Sequence, residues 1–503
     1  MRSPAAMSTS PSLSLDILLV ILELLPRQSD VASMSRASKA LRVSSIRHLL
    51  RYGITISTEQ GLASFVSFLH SDLSNRAPQV RKLYVKINMG PDEDFGSDFE
   101  DIEYDMGGRE ETKAALRLLC NTLGNLTELE DLSIDSCEEI LKLERGMLGA
   151  IVALEKLRRL QVSSVGELTA SLFEKIKSSL VEVELHCFSD GMDEPDNLVP
   201  IVGPLHGTLE RLSASYVEVQ DAQTQFPLLR ALALRKITSF DAPTLRKAFP
   251  NLTYLELSPG ADYFENAEEL RESSLEEPVD GSWSTLEHLC GGLDALYGVG
   301  VTQAVKRVDV DDFTLTSESL SWLHSLVRDT SPSRLLMHIG YHAKSLDGRH
   351  IRRLLAVPEA SNISHLMLDL CLSTLKASAG SLMDGLVSLI FPLSATFFVL
   401  RLNKFVESDE RASEVPRKCN FQVYEAFQPA SHDALAQRLA TACPWQIKLI
   451  CFDVMGHSPT YWTITRSHGE VTAHRLEPMV GRELVHREGL WFNDRSMGLS
   501  EYI

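Results

Sequence analysis

The chain has 503 residues, of which 49 are Lys or Arg and 68 are Asp or Glu, a formal charge of −19. That balance argues against general nucleic-acid binding, which needs cations to displace counterions from phosphates, and against docking on an anionic membrane face. Hydrophobic residues make up 44% and charged residues 23%, so a folded chain with a large core is expected, organised as a few domains or one long repeat array.

Residues 1–11 are rich in Ser, Pro and Ala and are expected to form a disordered lead. The apolar run Ile17-Leu18-Leu19-Val20-Ile21-Leu22 is bounded by Asp16 and Glu23. Pro26-Arg27-Gln28 follows it rather than a small-residue cleavage site, which argues against a secretory leader. A helix is expected from Leu15. Ser12 and Ser14 can cap it, Asp16 suits its first turn, and Pro26 ends it. Leu15, Leu18, Leu22 and Leu25 form one stripe; Ile17, Ile21 and Leu24 form a second. Within a module of residues 12–56, one stripe can face Val31, Met34, Ala37, Leu41, Ile46 and Leu49. The other needs a further partner, either the rest of the chain or another protein.

The segment Leu13-Ser14-Leu15-Asp16-Ile17-Leu18-Leu19-Val20-Ile21-Leu22-Glu23-Leu24-Leu25, with Asp30-Val31 and Ser35-Arg36-Ala37-Ser38-Lys39-Ala40-Leu41-Arg42, resembles an F-box. Ser14 stands where that family usually has Pro, and Asp16 where it usually has Glu. The resemblance spans residues 12–50. It implies a three-helix module that docks on the Skp adaptor of a Skp–cullin–F-box ubiquitin ligase, and through it on a cullin. The adaptor-binding residues it implies are Leu13, Ser14, Leu15, Ile17, Leu18, Ile21, Leu22 and Leu25. It also implies no catalysis, no cofactor and no metal, with a protein substrate held elsewhere on the chain.

Over 80–87 a first strand is expected. The stretch 92–105 then carries eight acids in fourteen residues, within an insertion at 90–108 expected to be a solvated loop. After it a short pattern recurs: apolar, two polar, apolar, one more, apolar. Its second apolar residue falls at Leu132, Leu160, Val183, Leu212, Leu232 and Leu255. Weaker copies follow at Leu289, Val308 and Leu366, with a poor one near Leu335-Leu336. The first five steps are 28, 23, 29, 20 and 23 residues, in or next to the range of leucine-rich repeats. Each copy reads as a short strand, and helix-like stretches such as 168–179 and 242–248 lie between copies. One strand and one helix cannot bury their own apolar faces, so neighbouring repeats must stack. The pattern resembles the leucine-rich-repeat solenoid that follows the F-box in one class of such proteins. The expected fold class is therefore α/β: a three-helix module, then a solenoid over 57–480 with parallel strands on the concave face and helices outside. Residues 481–503 carry no clear signal. Trp445, Phe452, Tyr461, Trp462, Trp491 and Phe492 are expected to cap the end of the repeat core rather than line a partner site.

Motifs for chemistry are absent or incomplete. His338 and His342 are four apart, but Gly340 argues against the helix a zinc pair needs. Asp309-Val310-Asp311-Asp312 lacks the glycine and distal glutamate of a calcium loop. Gly291-Gly292 and Gly298-Val299-Gly300 make no phosphate-binding loop, and no G-x-S-x-G elbow occurs. A Cys–His nucleophilic pair has no supporting motif. Asn125, Asn251 and Asn362 begin glycosylation-type triplets, but all stand just before a strand, where turn-forming asparagine explains them. The eight cysteines, Cys120, Cys137, Cys187, Cys290, Cys371, Cys419, Cys443 and Cys451, form no C-x-x-C pair, which suits a reducing compartment, cytoplasmic and/or nuclear. The apolar stretch 386–400 contains Pro392 and falls short of the roughly 18 residues of a membrane span. A non-enzymatic interaction protein is expected. The alternative is a repeat scaffold without a ubiquitin role, its N-terminal helices capping the array.

Overall fold

Leu83, Leu132, Leu160 and Val183 stand side by side on neighbouring parallel strands. The recurring leucines thus mark one register position, as the repeat pattern requires. A computed structural model describes residues 13–25, 27–87, 106–187, 196–220, 223–237, 239–260, 267–276, 283–311, 315–339, 348–371, 378–403, 421–443 and 447–490. The lead 1–11, the acid-rich stretch 92–105, Pro26, Asp312, His342, Cys419, Trp445, Trp491 and Phe492 lie outside the described residues. The chain divides into two units, Met1–Glu194 with Ile201–Leu209, and Pro195–Pro200 with Glu210–Ile503.

The first unit opens with helices α1 (Leu15–Leu24), α2 (Gln28–Ser35) and α3 (Lys39–Tyr52). Ser14 accepts a hydrogen bond from the Ile17 amide, as an N-cap does. Leu22, Val31 and Leu41 form a small buried cluster with Leu18, Leu19, Leu25, Met34 and Leu49 against it. Five strands follow: β1 (Ile54–Ile56), β2 (Lys82–Val85), β3 (Asp131–Ile134), β4 (Arg159–Ser163) and β5 (Glu182–His186). They pair in parallel in chain order. Parallel neighbours need long crossovers, and helices such as Glu167–Lys175 supply them. That helix is shorter than the expected 168–179 because Ile176 is already extended.

The helix Glu167–Lys175 begins at Gly166, which has no side chain to cap it. Glu138, from the preceding repeat, does so instead. Its buried carboxylate accepts from the Thr169 amide at 3.0 Å, the Thr169 hydroxyl at 3.1 Å and the Leu168 amide at 3.3 Å. A β-carbon at Gly166 would lie 2.5 Å from Glu138 Cδ, so the cap requires glycine there.

In the second unit the strands are β6 (Asp196–Asn197), β7 (Arg211–Ser215), β8 (Val217–Val219), β9 (Ala231–Ile237), β10 (Ser239–Phe240) and β11 (Tyr254–Pro259). They continue as β12 (His288–Gly292), β13 (Arg307–Asp311), β14 (Arg334–Ile339), β15 (His365–Cys371), β16 (Phe397–Asn403) and β17 (Leu449–Val454), then β18 (Thr460–Ser467) and β19 (Glu470–Arg475). Strands β6, β8 and β10 form a small parallel sheet. The main sheet runs β7, β9, then β11 to β17 in parallel, and closes with antiparallel β18 and β19. Leu212, Leu232, Leu255, Leu289, Val308, Leu335, Leu366, Phe398 and Ile450 share one register. Every one of them is fully buried. At Gly291, φ is +142° and a β-carbon would sit 1.8 Å from the Leu257 carbonyl oxygen, so this strand crossing admits no side chain.

Arg246 donates to the carbonyls of Ser274, Val299 and Gly300, tying two further segments to the helix Ala242–Ala248. At the far edge Gln437, on the helix His432–Ala442, meets the backbone of β19. Its Nε2 donates to the Val471 carbonyl at 2.7 Å and its Oε1 accepts from the Ala473 amide at 2.9 Å. Phe452 and Trp462 are buried against the start of that helix, at His432, and Tyr461 is buried on the sheet's other face.

The stretch that carried no sequence signal is structured up to Leu490. A helix spans Pro478–Arg487, with proline in its first turn. The Leu490 amide reaches back to the Val485 carbonyl and the Gly489 amide to His486, with φ +64° at Gly489. This is a Schellman ending, in which the left-handed residue is glycine and the next one is apolar.

Candidate interaction surfaces

Helix α1 separates its apolar residues cleanly. Leu22 is buried, with Leu18, Leu19 and Leu25 packed beside it on Val31 and Leu41. Outward lie Leu13, Ile17, Val20 and Leu24, with exposures of 59%, 49%, 55% and 75%. Ile17, Val20 and Leu24, spaced three and four apart, make one helical stripe, and Leu13 lies just before the Ser14 cap. Ile21 is half-buried, and Ser14 is occupied as the N-cap. Leu15 departs from the expected stripe: it is 45% exposed, because at the first helical position it lies before α2 and α3 can cover it. Of the residues implied to bind an adaptor, the structure brings Leu13, Leu15 and Ile17 to the surface. It turns Leu18, Leu22 and Leu25 to the module's own core. Leu24, already in the expected second stripe, and Val20 belong to the outward stripe as well; the signal for Val20 was the same periodicity read one residue before Ile21.

Across each sheet, the residue between two buried apolar positions faces the opposite side, as strand alternation dictates. In the first unit these are Tyr84, Ser133, Gln161 and Glu184. Beside them runs a charged row. Arg159 reaches Glu182 at 3.3 Å and Glu184 at 3.5 Å, His186 lies 3.4 Å from Glu184, and the Tyr84 hydroxyl donates to Asp131 at 3.4 Å. Burial pushes the Asp131 carboxyl above its ordinary value, against the pull of Arg159.

In the second unit the same position reads Ser213, Ala233, Glu256, Cys290, Asp309, then Leu336, Met367, Val399 and Cys451. The first part is polar. Arg235 grips Glu256 with two nitrogens, at 2.8 and 3.3 Å, and the Tyr254 hydroxyl donates to the same carboxylate at 2.9 Å. Asp309 lies between Arg307 at 2.6 Å and His288 at 3.0 Å. Burial alone would raise its carboxyl, but Arg307 and His288 outweigh that and hold it down to about 2. Burial pushes the Cys290 thiol well up, and the neighbouring Asp311, Asp309 and Glu256 add to this.

From β14 onward this face turns apolar and is covered. Leu336, Met367, Val399, Leu449, Cys451 and Tyr461 pack with Val485 and Leu490 of the terminal segment, and Leu476, Leu484 and Phe397 flank them.

The remaining chemical candidates have structural partners. His338 lies 3.1 Å from Asp369, which also accepts from Asn403. Asp309 is paired as described. Asn251 donates to the Pro227 carbonyl and Asn125 to that of Asn121, as turn asparagines do. Among the described residues no group of three His, Cys, Asp or Glu could hold a metal ion. No described helix is long and apolar enough to cross a membrane.

No protein-family model matches the chain, and no curated protein matches it. Among solved structures it is similar to the TLR13–ssRNA13 complex, at 13% identity and a TM-score of 0.33 over 71% of this chain. The match takes in 53% of the TLR13 chain, so this chain spans about half that protein's length.

Proposed function

We propose that the chain is a substrate-recognition subunit of a Skp–cullin–F-box ubiquitin ligase. In this reading α1 to α3 dock on the Skp adaptor and the repeat sheets hold a protein substrate. The chain supplies binding and no chemistry, in the cytoplasm or nucleus. The observation that carries it is the outward stripe Ile17, Val20 and Leu24, with Leu13 just before it, on the helix whose sequence resembles an F-box. A stripe of that size on a helix already packed by its other side asks for a protein partner.

Calorimetry of the purified chain with the Skp adaptor tests the reading. One-to-one submicromolar binding is expected, abolished by Ile17→Asp with the helical content unchanged. Leu22→Asp is the control: Leu22 is buried, so that change should collapse the helical module. A second reading rests on α3, which lies against β2 and the turn Ala77–Gln79. It takes the helices as the cap of a repeat scaffold with no ubiquitin role. Absence of adaptor binding would favour that scaffold.

A further inference from the structure

Six carboxylates are buried among the described residues: Asp131, Glu138, Glu182, Glu256, Asp309 and Asp369. Five of them have a partner at 3.3 Å or closer. Glu138 has the Thr169 amide, Glu182 has Arg159, Glu256 has Arg235, Asp309 has Arg307 and Asp369 has Asn403. Asp131 is the exception. Among the described residues its carboxylate has only the Tyr84 hydroxyl, at 3.4 Å, and no ion pair. Arg159, its register partner on β4, turns to Glu182 and Glu184 instead. Burial holds the Asp131 carboxyl above its ordinary value and outweighs the pull of Arg159 and Lys82. Two residues along β3, and so on the same open face, stands Ser133. It is 1% exposed, and its hydroxyl has no hydrogen-bond partner. A buried polar group without a partner costs folding free energy, and nothing in the described fold offsets it here. What the two groups lack is a donor, and for the carboxylate a positively charged one.

We propose that Asp131 and Ser133 form a subsite, on the open face of the first unit, for an arginine side chain of a bound protein. Their positions lie about 6.6 Å apart along the strand. A guanidinium has five N–H donors in a planar fork, enough to grip the carboxylate with two and reach the hydroxyl with another. An ammonium is a compact point charge and spans less. Tyr84 and Gln161, the neighbours of Ser133 on β2 and β4, stand half-buried on either side. The Tyr84 ring offers a guanidinium a wall to stack on. The chain's charge of −19 favours the approach of a basic segment. The proposal rests on the reading of the repeat sheets as a substrate surface and deepens it; it does not depend on adaptor docking.

The test is calorimetry of the full-length chain with an acetylated, amidated pentapeptide of Gly, Ala, Arg, Ala and Gly. Counterparts carry lysine or the uncharged isostere citrulline in place of the arginine. The arginine peptide is expected to bind at least about tenfold more tightly than the citrulline peptide and about threefold more tightly than the lysine peptide. Asp131→Asn should erase the preference for arginine over citrulline. Ser133→Ala should weaken the arginine peptide about threefold. Both variants should melt no lower than the parent chain, since each removes a buried polar group that the fold leaves unsatisfied. Residues kept for folding alone would lower the melting temperature and leave the peptide preference unchanged. No binding, equal binding of the arginine and citrulline peptides, a lysine peptide that binds as tightly, or a lower melting temperature in either variant would each overturn the proposal. Adaptor binding is a separate titration of the same chain, so the failure of one reading is distinguishable from the failure of the other.

Discussion

His432 shows how one buried side chain sets a pH response. Its Nδ1 lies 2.7 Å from the Thr460 hydroxyl and its Nε2 2.7 Å from the Phe427 carbonyl. A neutral ring that donates from Nε2 and accepts at Nδ1 satisfies both. Burial lowers its pKa below the ordinary histidine value. The folded state therefore resists a proton that the unfolded chain accepts. The stability this provides is full above about pH 6.5 and is lost as pH falls toward the lowered folded value. His365, lowered by burial and by Arg334, acts with the same sign. Unfolding free energy is thus expected to fall between pH 7.5 and 5.5, by at most about 1.4 kcal/mol per pH unit for each site, and the melting temperature with it. His432→Gln should flatten that slope while lowering stability at neutral pH. A variant with the parent's slope would show that other groups govern it.

Elements of neighbouring repeats are joined by the carboxylate of Glu138, which caps a helix it does not belong to. Glu138→Ala should cost about 1–3 kcal/mol, because two backbone amides and a hydroxyl lose their acceptor. Gly166→Ala should cost about 1–3 kcal/mol on the native background, where the new methyl meets Glu138. On the Glu138→Ala background the same change should be neutral or stabilising by about 0.5 kcal/mol, since the three nearest clashing atoms are gone and glycine's chain entropy is removed. Urea titrations of the four chains measure the coupling, and additive costs would refute this account.

The same scale explains what the sequence revealed. From β3 to β13 the strands of the main row were legible because leucine or valine alternates with residues such as Ser133, Gln161, Glu184, Glu256 and Asp309, whereas the short β6, β8 and β10 carry no copy of the pattern and were not read. From β14 on, the terminal helix covers the second face as well. Strand β15, His365–Cys371, is buried at every position, and its alternation vanishes. That is why the copy at Leu335 read poorly and why Phe398 and Ile450 passed unnoticed, although they hold the same register. The terminal helix itself was hidden because its stripe is short. Its Pro478 start and Gly489-Leu490 exit were the usable signs. The outward face of α1 was half legible: periodicity gave two stripes, but only packing on Val31 and Leu41 decides which one the module keeps.

For the whole molecule, a charge of −19 and a sheet whose polar face is largely paired internally both disfavour indiscriminate attraction. A long row of parallel strands carries another hazard, since its final strand offers free amides and carbonyls to any passing chain. The side-chain amide of Gln437 makes the two hydrogen bonds that one more strand would make at Val471 and Ala473. It imitates a peptide group and then stops, because a side chain has no next residue to extend the ladder. Gln437→Ala is expected to leave the circular dichroism spectrum unchanged and to raise light scattering at high protein concentration. Scattering equal to that of the parent chain would show that the edge needs no such guard. With the glutamine in place, an incoming strand would have to displace it before pairing at Val471 and Ala473.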